Sequence, residues 1–154
     1  YESLTDDLIR LIMLRMDEVR VRFIRCHGDC HAGNILWRDG KPNFVDFDDA
    51  RMAPAIQDLW MLLSGPREEQ EAQLSMVVDA YEQFGSFDDR QLSLIEPLRT
   101  LRIMHYAAWL ARRWEDPAFP RAFPWFNTER YWGQHILELR EQMSALQEAP
   151  LRIG

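Results

Sequence analysis

The chain has 154 residues, of which 47% are hydrophobic, and this is enough apolar material for a sizeable core. Its net charge of −7 disfavours non-specific binding to nucleic acid, and no run of about 18 apolar residues predicts a membrane span. Cys26 and Cys30 are the only cysteines, which excludes a disulfide framework, and the first residues lack the pattern of a signal peptide. We therefore expect a cytoplasmic protein with no nucleic-acid or membrane partner.

The first third of the chain predicts a helix followed by a small β element. Apolar residues at helical spacing predict a helix that begins at Thr5, with Thr5 as its capping residue. Residues 21–26, "VRFIRC", predict a short strand. The segments "NILW" and "NFVDF" predict two more strands around Asp39-Gly40, a dipeptide typical of two-residue hairpin turns. Pro42 indicates that this hairpin is an edge.

The chain after residue 53 predicts helices and loops only. Pro54 suits the first position of a helix over "APAIQDLWMLL". Apolar residues from Leu74 to Phe84 predict the next helix, which Gly85 should end.

The last third predicts a long helical segment, an aromatic loop and a final amphipathic helix. Asp88 is expected to cap a segment over 89–115 that is broken or kinked at Pro97. Residues 116–126, "DPAFPRAFPWF", are rich in proline and aromatic residues and predict a loop packed on the domain. The whole pattern predicts an α+β fold that is mainly helical.

The segment "HGDCHAGN", residues 27–34, places costly polar groups between apolar strands. Asp29 lies in a loop after a strand, and Asp46 is expected at the end of the second hairpin strand. Since the hairpin folds back on itself, Asn34 and Asp46 should converge at one end of it. Amide and carboxylate oxygens suit Mg²⁺, and a separate carboxylate could accept a proton from a hydroxyl. These parts favour phosphoryl transfer.

The pattern "H-G-D-x-H-x-x-N", followed by a hairpin and "V-D-F-D", resembles the aminoglycoside phosphotransferase/choline kinase-like superfamily, whose fold is similar to protein kinases. The stretches "ILWRDG", "DDARMAPAIQDLWMLLSG", "LIEPLR" and "RRWEDPAFPRAFPWF" resemble its bacterial stress response kinase A group, which are Ser/Thr protein kinases. The resemblance covers roughly residues 20–150. It implies a kinase-like C-terminal lobe with a small β-hairpin at the catalytic loop.

The resemblance implies a role for each matching polar residue. Asp29 would be the catalytic aspartate that faces the substrate hydroxyl. Asn34 and Asp46 would bind Mg²⁺ and, through it, the phosphates of ATP, which makes Asp46 part of the catalytic set as well. Asp48 and Asp49 could order the following segment or tune the electrostatic potential of the site.

Three further residues would support the loop. His27 would shape it, and His31 would bond to neighbouring backbone as a structural residue. Asp58, in "QDLW", would accept hydrogen bonds from the backbone of the catalytic loop and hold it rigid.

Two parts of a kinase site are missing from the sequence. It contains no Gly-rich stretch of the form G-x-G-x-x-G, and its single lysine, Lys41, lies beside the hairpin turn. We therefore expect residues 1–154 to be the C-terminal lobe, with the nucleotide-covering N-terminal lobe outside this chain. The chain alone should then bind ATP weakly or not at all.

Several alternatives stay open from the sequence. The acceptor implied by the resemblance is a protein Ser or Thr, but a small molecule with a hydroxyl group is an alternative, and so is a non-catalytic binding scaffold. "FVDFD" also resembles phosphatases that form an aspartyl-phosphate, with Asp46 as nucleophile and Asp48 as acid/base. That class needs a later lysine, which the chain lacks. Metal binding by Cys26 and Cys30 is disfavoured by their spacing.

Overall fold

A computed structural model describes all residues from 1 to 154, and the chain divides into two compact units. Unit 1 comprises residues 1–18 and 96–148, and unit 2 comprises residues 19–95 and 149–154. The fold is α+β and mainly helical. The helices are α1 (Glu2–Glu18), α2 (Ile56–Leu59), α3 (Arg67–Glu82), α4 (Ile95–Arg112), α5 (Ala118–Ala122) and α6 (Glu129–Ala145). The strands are β1 (Ile24–Cys26), β2 (Ile35–Arg38), β3 (Lys41–Phe44) and β4 (Arg51–Ala53).

The core of unit 1 forms between α1 and α6. The buried side chains of Leu8, Ile12, Leu139 and Leu146 pack together there, with further apolar residues around them. Full burial of each such side chain stabilises the fold by about 1.5–3 kcal/mol. None of the helices is long and apolar enough to cross a membrane.

The start of α1 differs from the prediction. The helix begins at Glu2, and Thr5 lies inside its first turn, where its hydroxyl donates to the carbonyl of Glu2 at 2.8 Å. The predicted capping role of Thr5 is therefore wrong. The N–H of Thr5 already donates to the carbonyl of Tyr1 at 3.0 Å, so the helix starts before Thr5, and its hydroxyl bonds to the preceding turn as that of a threonine inside a helix can.

The predicted break at Pro97 is also displaced. Asp88 does cap, because its carboxylate accepts from the backbone N–H of Arg90, but the capped element is a 3-10 helix over Asp89–Leu94. The α-helix α4 then begins at Ile95, two residues before Pro97. A proline in the first turn of a helix costs nothing, because N–H groups there have no partner within the helix.

The proline- and aromatic-rich segment 116–126 contains a short helix, α5, rather than a loop alone. Its rings belong to a larger set in unit 1, here called the aromatic cluster. Phe126 is at the centre of this set and is only 3% exposed. The cluster consists of Tyr1, Tyr106, Trp109, Trp114, Phe119, Phe123, Trp125, Phe126, Tyr131, Trp132 and His135.

Unit 2 contains two separate two-stranded antiparallel sheets. Strands β2 and β3 pair with Arg38 opposite Lys41, so Asp39-Gly40 forms the predicted two-residue turn. Both turn residues have positive φ, 52° and 72°, as a type I′ turn requires. The second sheet is not predicted by the sequence. Strand β1 pairs with β4, a three-residue strand that follows the hairpin.

The helices of unit 2 have other bounds than the pattern suggests. The predicted helix after Pro54 is only the four residues of α2, followed by a 3-10 turn over Trp60–Leu62. The next helix, α3, ends at Glu82, and Gly85 has no left-handed conformation. The prediction of Gly85 as a helix stop is therefore wrong, because the bonds from Phe84 and Gly85 to the carbonyl of Tyr81 already close the helix end.

Candidate active site

The polar loop begins where β1 ends. Cys26, the last residue of β1, lies opposite Arg51 of β4, so this sheet joins the start of the loop to the segment that follows Asp46. Asp29 is the third residue after the strand, and its side chain is 18% exposed. The carboxylate is thus accessible from solvent yet largely enclosed by the loop.

Asp58 holds the backbone of the loop. Its Oδ2 accepts from the N–H of His27 at 2.7 Å, and its Oδ1 accepts from the N–H of Gly28 at 2.9 Å. Each bond joins an ionisable carboxylate to a backbone amide, a type that is stronger than a bond between neutral groups. The two bonds fix the chain just before Asp29.

Gln57, the neighbour of Asp58 on α2, also contacts the loop. Its Nε2 donates to the carbonyl of Gly28 at 3.2 Å. The sequence does not predict a role for this residue. The only feature of the sequence that could have indicated this contact is the position of Gln57 beside Asp58. A glutamine there is neither charged nor part of a catalytic motif.

His27 connects the loop to the segment before Asp46. Its Nε2 lies 2.8 Å from the carbonyl of Val45, and its Nδ1 accepts from the N–H of Asp29 at 3.3 Å. Because a carbonyl only accepts and an amide N–H only donates, the neutral ring carries its proton on Nε2. The ring also packs on Phe47, with centroids 4.6 Å apart.

His31 and Asn34 both approach Asp29. The Nδ1 of His31 accepts from the N–H of Gly33 at 3.0 Å, so its Nε2 carries the proton, 3.4 Å from Oδ2 of Asp29. The side-chain Nδ2 of Asn34 donates to the backbone carbonyl of Asp29 at 3.0 Å and lies 3.5 Å from Oδ2 of the same residue. Two donors therefore face the carboxylate of Asp29.

Asn34 and Asp46 lie outside the strands, contrary to the prediction. Asn34 ends a 3-10 turn over Ala32–Asn34, and Asp46 follows β3 by two residues in a left-handed conformation with φ of 64°. The hairpin nevertheless brings them close, because the N–H of Val45 donates to the carbonyl of Asn34 at 3.0 Å. Left-handed φ is tolerated best by Gly, Asn and Asp.

Asn34 and Asp46 each offer a side-chain oxygen that could act as a ligand of a cation. Because Nδ2 of Asn34 is bonded to Asp29, its Oδ1 is the amide atom left to act as a ligand. Asp46 contributes an exposed carboxylate from the adjacent backbone. A hard divalent cation prefers such oxygens, so the donor set fits one. No three His, Cys, Asp or Glu side chains in the chain form a metal-binding group by themselves.

Asp48 and Asp49 lie in the 3-10 turn Phe47–Asp49. The backbone carbonyl of Asp49 accepts from Nε of Arg51 at 3.0 Å, and its carboxylate lies 3.3 Å from Nη2 of the same arginine. Asp49 thus orders the segment between the turn and β4. Asp48 is exposed, and none of the contacts of the loop described above involve it.

Cys26, at the end of β1, and Cys30, in the loop, are buried thiols. Burial, and then the nearby charge of Asp58, raises the pKa of Cys26 to about 11, and the same two causes raise the pKa of Cys30. The Sγ of Cys26 lies 3.4 Å from the carbonyl of Pro54. Both shifts favour the thiol over the thiolate, so this environment does not activate either group as a nucleophile.

The comparison with protein families decides the assignment. Residues 2–95 match the phosphotransferase enzyme family. The chain belongs to this phosphotransferase family. The family predicted from the polar loop and the hairpin is thereby confirmed.

Two relatives of this phosphotransferase-family chain are kinases by name. It is 54% identical over 149 residues to stress response kinase A of Escherichia coli (strain K12), covering 97% of the chain and 45% of that relative. It is 57% identical over 130 residues to serine/threonine protein kinase RdoA of Salmonella typhimurium, covering 84% of the chain and 39% of that relative. The chain spans less than half the length of these relatives.

The fold is similar to that of a solved kinase. The structure of amicoumacin kinase hAmiN, in complex with AMP-PNP, Ca²⁺ and Ami, matches with a TM-score of 0.69 and 18% sequence identity. The match covers 97% of this chain and 46% of that one. It confirms the predicted α+β, mainly helical and kinase-like fold of the phosphotransferase-family chain.

Proposed function

We propose that the protein containing this chain is an ATP-dependent phosphotransferase that transfers a phosphoryl group to a hydroxyl. One observation carries the proposal. The carboxylate of Asp29 is held by His31 and Asn34, while His27 joins the same loop to the backbone beside Asp46. The proposed proton acceptor, Asp29, and one proposed oxygen ligand, Asn34, thus share a hydrogen-bonded network, and the other ligand, Asp46, directly follows the carbonyl that His27 contacts.

Asp29 acts as the proton acceptor in this proposal. The hydroxyl oxygen of the acceptor attacks the γ-phosphorus of ATP, the bond to the β–γ bridging oxygen breaks, and ADP leaves. The hydroxyl proton passes to the carboxylate of Asp29. Rate enhancement comes mainly from positioning, since the protein does little covalent chemistry in such transfers.

Asn34 and Asp46 would hold Mg²⁺ through an amide oxygen and a carboxylate oxygen. When bound, the cation supplies positive charge to the phosphates of ATP. The amicoumacin kinase binds AMP-PNP, an analogue of ATP, together with the divalent cation Ca²⁺. This supports the binding of ATP together with a divalent cation here. Mg²⁺ itself is our choice on chemical grounds.

We further propose that residues 1–154 are the C-terminal lobe of the protein. The chain carries the catalytic loop and the cation-binding residues, and it matches less than half of its named relatives. The nucleotide-covering part would then lie outside it. Activity should be measured on the full-length protein for this reason.

A protein serine or threonine is the acceptor we favour. The support is the name of the Salmonella relative, a serine/threonine protein kinase, at 57% identity. A small hydroxylated molecule is the second candidate, supported by the amicoumacin kinase, which shares the fold at 18% identity. A scaffold without catalysis is the third candidate, and it predicts no transfer at all.

The proposal is tested by phosphoryl transfer from radiolabelled ATP in the full-length protein. Asp29→Asn keeps the shape of the side chain but cannot accept the proton, so we expect turnover to fall by about 10²–10⁴-fold. Asp39→Asn, which removes the same charge from the exposed hairpin turn, is the matched control and should keep full activity. Unchanged turnover in Asp29→Asn would remove Asp29 from the mechanism, and no transfer by the wild type would favour the scaffold.

A further inference from the structure

The proposed mechanism needs Asp29 to be held in place, yet the residue before it is flexible by nature. Gly28 has φ of +89°, in the left-handed region, and no Cβ to restrict the peptide group that follows. We propose that Gln57 is a positioning residue for Asp29. Its side-chain amide fixes the Gly28–Asp29 peptide group by donating to the Gly28 carbonyl. This inference rests on the proposed phosphotransfer.

The peptide group between Gly28 and Asp29 is held at both of its polar atoms. Its carbonyl oxygen accepts from Nε2 of Gln57 at 3.2 Å, and its N–H donates to Nδ1 of His27 at 3.3 Å. Rotation of this group by half a turn would exchange the two atoms and break both bonds. It would also turn the backbone from which the carboxylate of Asp29 projects.

Asp58 cannot perform this task in place of Gln57. Its two oxygens accept from the N–H groups of His27 and Gly28, which belong to the two preceding peptide groups. A carboxylate has no proton to donate to the Gly28 carbonyl, whereas the amide of Gln57 has two. The adjacent residues Gln57 and Asp58 of α2 therefore bond to different peptide groups of the loop. Asp58 accepts from two N–H groups, and Gln57 donates to one carbonyl.

The helix that carries both residues is itself anchored. The N–H of Ile56, the first residue of α2, donates to Oε1 of Gln91 at 3.1 Å, and both residues are buried. A four-residue helix has little stability alone, so this anchor fixes the place from which Gln57 reaches the loop.

The experiment compares three variants of the full-length protein. Gln57→Leu removes the donor, and Gln57→Glu keeps the shape while presenting an acceptor to the Gly28 carbonyl. We expect both to lower kcat by about 10–100-fold with the KM for ATP changed by less than about twofold, because misplacing Asp29 affects the transfer step. The control is Gln73→Leu, since Gln73 clamps the backbone of Ser64 through two hydrogen bonds, and it should leave kcat unchanged.

Hydrogen exchange supplies a second readout that does not depend on activity. Loss of the Gln57 bond frees the peptide group to rotate, so the amide of Asp29 should exchange at least about tenfold faster in both Gln57 variants, and at the wild-type rate in Gln73→Leu. Unchanged exchange together with unchanged kcat would overturn the positioning role. If the Gln57 variants exchange faster but the wild type transfers no phosphoryl group, Gln57 still positions the peptide group, and the proposed function is rejected instead.

Discussion

The polar loop of unit 2 and the aromatic cluster of unit 1 are held together in opposite ways. The loop depends on directional bonds, in which Asp58, Gln57 and His27 each contact specific backbone atoms. The aromatic cluster depends on ring packing, and Phe126 alone contacts Trp114, Trp125, Tyr131 and Trp132 with centroids 4.8–6.3 Å apart.

This difference predicts different responses to mutation. A hydrogen bond weakens when its donor and acceptor move apart or out of line, whereas many weak ring contacts can adjust together. Changes in the loop should therefore reduce activity more than their cost in stability suggests. Changes in the aromatic cluster should mainly reduce stability.

The largest effect is expected from Gly28→Ala. A Cβ at this position would collide with the backbone carbonyl of Asp49, and φ of +89° is strained for alanine. We expect a loss of about 3 kcal/mol or more in the free energy of unfolding, measured by urea titration, and no detectable transfer. Gly40→Ala is the matched control, because it has a similar φ of +72° but nothing within 4 Å, and it should cost about 1–2 kcal/mol. Equal costs would show that the predicted collision does not occur.

A smaller effect is expected from Asp58→Ala. The change leaves the N–H groups of His27 and Gly28 without their acceptor. Because both bonds are only partly buried, each loss should cost about 1–2 kcal/mol, and the total should be about 2–4 kcal/mol. Turnover should fall with it, because the loop loses its anchor. Asp79→Ala, on the exposed side of α3, removes the same charge and should change the free energy of unfolding by less than about 0.5 kcal/mol. If both variants unfold alike, Asp58 does not hold the loop.

The smallest effect is expected from Phe126→Leu in the aromatic cluster. Phe126 is 3% exposed, and a shorter apolar side chain at this place should cost about 1–1.5 kcal/mol. We expect the same variant to keep kcat within about twofold of the wild type. Phe126 contacts other rings by packing, and these rings can adjust to a smaller side chain. A large loss of kcat at unchanged stability would reverse the comparison between the two regions.

The sequence is sufficient where local chemistry decides the structure. Asp39-Gly40 forms the predicted hairpin turn, because few residues other than glycine, asparagine and aspartate tolerate two consecutive positive φ angles. The predicted contact of Asp58 with the loop backbone is also present. The catalytic roles of Asp29, Asn34 and Asp46 stay predictions.

Tertiary context decides what the sequence cannot. Strand β4 is only three residues long, which is too short to show an alternation of apolar and polar residues in the sequence. It is a strand because it pairs with β1. Asp46 is predicted in a strand, but the chain turns there into a left-handed conformation before the 3-10 segment. Gln57 escapes prediction because a glutamine gains a role only when a carbonyl lies opposite it, and that carbonyl is 29 residues away in sequence.

The central claim is that Asn34 and Asp46 form a cation site beside the carboxylate of Asp29. Calorimetric titration of ATP into the full-length protein, with and without Mg²⁺, tests it most directly. Asp46→Asn keeps a side chain that tolerates the left-handed backbone but removes the charge, and Asp39→Asn makes the same change at a similar φ in the hairpin turn. We predict that Asp46→Asn abolishes the strengthening of ATP binding by Mg²⁺, while Asp39→Asn retains it. Equal Mg²⁺ dependence in the wild type and in Asp46→Asn would contradict the account.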